Sequence, residues 1–133
     1  MGASSATESV WIVDITDKSN PKVMGKVPSN NYSDSDTLFF NLDYSLLATG
    51  NGSSVLLIDA TNKLDLKQLS QFFITSDMRG TVEDVIITND SLWIIATVRS
   101  YGLFVLDISN RLNMVLKFKL ETFGGEGIVA SAD

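Results

Sequence analysis

The chain has 133 residues, 44% hydrophobic and 20% charged, which is enough to bury a core and too apolar for a disordered segment. Its net charge of −6, from 16 acidic and 10 basic residues, argues against nucleic acid, which selects stripes of Lys and Arg to neutralise phosphate. Neither cysteine nor histidine occurs, which excludes disulfides, thiol catalysis, zinc-thiolate sites and a histidine general base.

Residues 1–9, MGASSATES, are small and polar and read as a flexible lead-in or an expression scar without a signal-peptide pattern. From Val10 the chain reads as short strands separated by turns. VWIV is followed by Asp14, a turn TDKSNPK and a strand through Val27. After the connection PSNNYSDS, the stretch DTLFFNLDYSLLAT (36–49) reads as two strands about a turn, and GNGSS supplies a tight hairpin. VLLID, a turn TNKLD and a strand through Phe72 follow. The same order returns as DVIITNDSLWIIAT (84–97), RSYG, LFVLDIS, the turn SNRLN and MVLKFKL, and the chain closes on EGIVASAD. The segments are short, rich in Val, Ile, Leu, Phe and Trp, and bounded by Gly, Asn, Asp, Ser and Pro, so they predict strands; no stretch has a 3.6-residue period. The strictly apolar runs are far shorter than a membrane span.

The repetition has a fixed frame. Copies begin at Val10, Val55 and Leu103, 45 and 48 residues apart, and align without a gap for 18 positions. Asp14, Asp59 and Asp107 coincide, as do Lys18, Lys63 and Arg111. The two 14-residue phrases also align without a gap, which pairs Asp36 with Asp84 and places Glu126 third. VWIV, VLLI, LFVL and LWIIA are continuously apolar, the mark of strands covered on both faces. Four strands in about 45 residues, with covered inner strands, is the pattern of a β-propeller blade. Trp11 and Trp93 fall inside these strands and are expected in the core.

VWIVDITDKSNPKVMGKV and LFVLDISN resemble the LVIVD repeat, a β-propeller repeat whose pattern is an apolar run, Asp-Ile-Ser, an Asn-Pro turn and a further strand. The first copy keeps the turn as Ser19-Asn20-Pro21; the later copies, with Leu64-Asp65-Leu66 and Leu112-Asn113-Met114, lack the proline. The resemblance implies an all-β, antiparallel propeller over residues 10–133. It also implies a setting at the cell surface or outside the cell, and it brings no catalytic motif.

With the strands of a blade numbered first to fourth, the chain runs third and fourth, twice first to fourth, then first. That makes eleven strands, a partial propeller of about three four-stranded blades, fewer than the four to eight of closed rings. Two readings follow: a fragment of a longer propeller, or a homo-oligomer that completes one. Asp14, Asp59 and Asp107 are expected to cap turns through backbone N–H groups. Asp36, Asp84 and Glu126, at the starts of first strands, are the candidate metal ligands, with Ca²⁺ the ion that oxygen donors would suit. Tyr32, Met78, Arg79 and Phe123, in the loops before those strands, are the candidate partner contacts. Asn31, Asn51 and Asn89 begin Asn-X-Ser triplets, near the number chance supplies. The reading these features favour is a non-catalytic binding or assembly module that meets a protein or glycan partner. The alternatives are a metal-dependent hydrolase using channel carboxylates and a purely structural assembling subunit.

Overall fold

In the computed structural model, residues 9–28, 37–74, 80–121 and 126–129 are described. The strands are β1 (Ser9–Asp14), β2 (Lys22–Pro28), β3 (Leu38–Phe40), β4 (Leu46–Asn51), β5 (Ser54–Asp59), β6 (Lys67–Phe73), β7 (Val82–Ile87), β8 (Trp93–Val98), β9 (Gly102–Asp107) and β10 (Val115–Leu120). They form one two-stranded sheet, β1-β2, and two four-stranded meanders, β3-β4-β5-β6 and β7-β8-β9-β10, all antiparallel. The described residues contain no helix. The architecture is a partial β-propeller that does not close.

The core is built face to face between sheets. Leu46, Ala48, Val55 and Leu57 from the β3–β6 blade meet Val85, Ile87, Ile94, Ala96, Phe104 and Leu106 from the β7–β10 blade in one buried cluster. The opposite face of β3–β6 carries a second cluster, Leu47, Leu56, Ile58 and Ala60. The strand period of two thus sends successive residues of β5 into different cores, and β5 is buried along almost its whole length. The two-stranded sheet closes in through Gly25, where a Cβ would lie 2.2 Å from the Lys63 carbonyl oxygen.

Double burial holds for the middle blade and fails at the flanks. Trp11 is 53% exposed and Val13 44% exposed, because they alternate with Ile12 onto the outer face of β1-β2, away from β3–β6. Trp93 is half-buried, and Leu103 and Val105 are half-buried on the outer face of β7–β10. The two tryptophans are therefore flank residues, not core.

The eleventh expected strand does not appear among the described residues: Glu126–Val129 belongs to no strand, and the described residues form ten. An innermost strand pairs only with the second strand of its own blade, and none follows among the described residues.

One irregularity recurs in every copy. The third-to-fourth strand register slips by one residue between Ile12 and Val13, Leu57 and Ile58, and Val105 and Leu106. Met24, Leu69 and Lys117, at equal offsets in their repeats, are left unpaired as bulges. A bulge increases local twist, and here it falls just before each capping Asp.

Two outcomes test this packing. Leu57→Asp places a carboxylate where the side chain is 0% exposed and should cost about 4 kcal/mol or more. Val105→Asp, half open to water, should cost less than half as much; equal losses in chemical denaturation would contradict the stack. Gly25→Ala drives a methyl into backbone that cannot rotate away and should destabilise by about 1–3 kcal/mol. Gly127→Ala, whose Cβ would meet only Asp84 at 3.8 Å, should leave the melting temperature near that of the parent.

Candidate functional site

The polar chemistry of the chain collects at the two ends of the stack, because the blade faces between them are apolar. At one end lie the turns joining first to second and third to fourth strands. Asp14, Asp59 and Asp107 accept the N–H of Thr16, Thr61 and Ser109 at 2.8, 2.9 and 2.9 Å. Three residues on, Asp17, Asn62 and Asn110 accept the N–H of Ser19, Leu64 and Leu112. Backbone bonds then close each turn: Asn20 to Asp17, Asp65 to Asn62 and Asn113 to Asn110. The repeated Asp is a turn cap in all three copies. The proline is dispensable to the turn because Asp65 and Asn113, in the place of Asn20, make the same backbone bond without a following proline.

The basic residue of the repeat locks two turns together. Lys63 Nζ donates to the carbonyls of Ala60 and Tyr44. Arg111 Nη1 donates to those of Ile108, at 2.7 Å, and Ser91. Tyr44 and Ser91 are the left-handed residues of the first-to-second turns, with φ of 59° and 57°. A cation thus ties each third-to-fourth turn to the preceding hairpin of its own blade. Neighbouring blades are joined at the same end by Asn41 Nδ2 donating to Ser91 Oγ at 3.1 Å, and by Ser70 Oγ donating to the Arg111 carbonyl at 2.8 Å.

At the other end the first strands begin, and here Asp84 sits at a seam between blades. Its Oδ1 accepts the Thr37 hydroxyl at 2.6 Å and the Val85 N–H at 2.9 Å, and its Oδ2 accepts the Ile128 N–H at 2.9 Å. Three of about four carboxylate lone pairs are therefore committed to protein donors. Val85 N–H also points at Thr37 Oγ1, 3.3 Å away. The seam has a rule: Thr37, just before β3, accepts the N–H of Val85 in β7, and Asp84 of β7 accepts the N–H of Ile128 in the segment that follows β10.

That rule corrects the gapless alignment of the first and second strands. Leu38 pairs with Thr49 and Phe40 with Leu47, whereas Asp84 pairs with Thr97 and Ile87 with Ile94. The turn after the second strand has two residues, Gly52-Ser53, in one blade and three, Arg99-Ser100-Tyr101, in the next. The counterparts along the seam are therefore Thr37, Asp84 and Gly127, not Asp36, Asp84 and Glu126. Glu126 is exposed and one residue early, and Asp36 lies outside the described residues. No group of three or more His, Cys, Asp or Glu placed to hold a metal occurs among the described residues. The signal that would have set the register is Asp43 with Asp90, since both accept the N–H two residues on, from Ser45 and Leu92.

Tyr32, Met78, Arg79 and Phe123, the candidate partner contacts, all lie outside the described residues. Asn51 is buried at 5% exposure, which puts that Asn-X-Ser triplet out of reach of modification in the folded chain. Beside the seam, Glu83 Oε1 lies 2.7 Å from Arg99 Nε as an ion pair, without the alignment of a hydrogen bond.

The capping carboxyls are acidic for a local reason. The Thr16 hydroxyl and N–H hold Asp14 below the usual carboxylate value; those of Thr61 do so for Asp59, and those of Ser109 for Asp107. The Ser19, Ser45 and Thr88 hydroxyls, each with a neighbouring N–H, act likewise on Asp17, Asp43 and Asp90.

A value lower in the folded than in the unfolded chain means stability that is complete above the unfolded value of 3.8 and lost as pH falls through the folded one. Denaturation midpoints should therefore be flat from about pH 7 to 5 and fall below about pH 4. The double variant Asp59→Asn, Asp107→Asn keeps an acceptor oxygen but no charge, so its acid decline should be shallower. An unchanged acid decline would assign the effect to other carboxyls.

The LVIVD-repeat family model matches residues 6–28 and 80–122. The middle blade, outside both matches, shares the same strand order, bulge and turn caps. No curated protein matches the sequence. Among solved structures, a crystal structure of a protein from Lactobacillus plantarum is similar in fold, with a TM-score of 0.73 at 14% identity. The similarity covers 86% of this chain and 36% of that one, so this chain spans about a third of that protein's length.

Proposed function

We propose that this LVIVD-repeat chain, a partial β-propeller, is a non-catalytic assembly and binding module whose blades associate with further blades and whose loop end meets a protein or glycan partner. The observation that carries the reading is the pair of unlike flanks. The outer face of β1-β2 presents Trp11, Val13 and Val23, exposed at 53%, 44% and 58%, with Lys26 lying over the Trp11 ring at 5.5 Å. The outer face of β7–β10 presents Leu103, Val105 and Phe118, the last 55% exposed; Val105 pairs directly with Phe118 and with Ile95.

These faces correspond to the two sides of the middle blade, which are covered. Trp11 and Val13 match buried Leu56 and Ile58, and Leu103 and Val105 match buried Val55 and Leu57. The flanks therefore favour head-to-tail contact, front of one stack on back of the next, which forms a ring when the rotation closes. Two copies would approach six blades, within the range of closed propellers. The non-catalytic reading is supported by the commitment of the repeated carboxylates to turn caps and of Asp84 to the seam.

Light scattering tests the assembly. The expected mass is a multiple of 14.5 kDa, about 29 kDa for a two-fold ring, and Trp11→Ser or Phe118→Ser should each lower it. A monomer at every concentration down to the micromolar range would refute the flank reading.

A further inference from the structure

The clamp formed by Lys63 and Arg111 has a third member without its counterpart. Lys18 holds the same place in the turn after β1, and that turn is built alike: Asp14 caps Thr16, Asp17 caps Ser19, and Asn20 bonds back to Asp17. In the other two blades the cation ends on the carbonyl of a left-handed residue in a first-to-second hairpin, Tyr44 or Ser91. Among the described residues Lys18, which is exposed, meets no such carbonyl. The strand beside it is incomplete in the matching way. β5 and β9 each carry a second strand on one edge and a fourth strand on the other, whereas among the described residues β1 pairs with β2 alone. The open edge and the unoccupied cation are the two halves of one arrangement seen complete twice in this chain.

We infer that the free edge of β1 and Lys18 form a docking site for a first-to-second-strand hairpin of this same repeat type. Its chemistry is fixed by what the other blades hold: an Asx turn ending in a left-handed residue whose carbonyl takes the cation, followed by an apolar strand of about six residues that adds to the edge. A second folded copy of the described residues does not supply it, because β4 and β8 are each paired on both edges. The occupant is an additional repeat hairpin with an unpaired second strand. This deepens the assembly reading, because a completed β1 blade is what the Trp11 flank would belong to.

The test uses the full chain and a synthetic peptide of residues 84–98, DVIITNDSLWIIATV. Calorimetric titration should give one site per chain, with slowed hydrogen exchange at β1 amides. Lys18→Ala should weaken binding about tenfold, the scale of a lost charged hydrogen bond. Lys18→Arg should restore it, since Arg111 performs the same task in its own blade. Replacing Ile95 by Asp in the peptide should abolish binding, because in the register of β8 on β9 it would stand beside Ile12, on the face turned toward β3–β6. No binding at about 100 µM peptide, binding without protection of β1, or equal affinity for Lys18→Ala and the parent would each overturn the site. Lys18 lies in a turn and not on the flank faces, so Lys18→Ala should leave the mass of the chain alone unchanged. A failed titration with mass still sensitive to Trp11→Ser and Phe118→Ser would therefore remove the hairpin site and leave the flank reading standing.

Discussion

The β3–β6 sheet is apolar on both faces, and the rest of the arrangement is a response to that. Leu57 and Ile58 are adjacent in sequence, both fully buried, and point into opposite cores. A sheet of this kind cannot stand on water on either side, so it requires a second sheet in front and another behind. Stacking satisfies both faces at once, and Gly25 and Gly50 let the sheets approach. A Cβ at Gly25 would strike the Lys63 carbonyl, and one at Gly50 would come within 2.9 Å of Val82.

Stacking apolar faces moves most polar groups to the ends of the strands and to the outer strands β6 and β10, and the repeat organises those at the ends. Each third strand meets a bulge in the fourth and then presents an Asp that caps the turn, and in the two four-stranded blades a cation follows that reaches the neighbouring hairpin. These bonds are short-range and repeat with the sequence. The contacts between blades are less uniform: a Thr37 hydroxyl at one seam position becomes an Asp84 carboxylate at the next and a glycine after that. The carboxylate has the added lone pairs to hold both Thr37 and Ile128, so it ties β7 to the residue before β3 on one side and to the segment at Ile128 on the other. A one-residue change in hairpin length between blades moves the register without disturbing the stack, since the aligned faces remain apolar in both.

The flanks of the stack bear on function. Side chains that are buried in the middle blade have exposed counterparts at the β1-β2 end and half-buried ones at the β7–β10 end, so the same repeat that builds the core also builds the surfaces by which it would grow. The recurring carboxylates Asp14, Asp59 and Asp107 are aimed at the backbone of their own turns.

The strand order, the blade frame and the capping role of Asp14, Asp59 and Asp107 were legible in the sequence, because each rests on interactions within a few residues or on a pattern repeated with the blade. Local hydrogen bonding and side-chain alternation are written in neighbouring residues and read directly. The exposure of Trp11 and the half-burial of Val105 were not legible: an apolar strand looks the same whether a further blade covers it or not, and only its position in the stack decides. The pairing of Thr37 with Asp84 was likewise a tertiary outcome. Two-residue and three-residue hairpins offset the strands by one position, and the residues that meet across the seam, 47 apart in the chain, are chosen by that offset and by the packing of one sheet on the next.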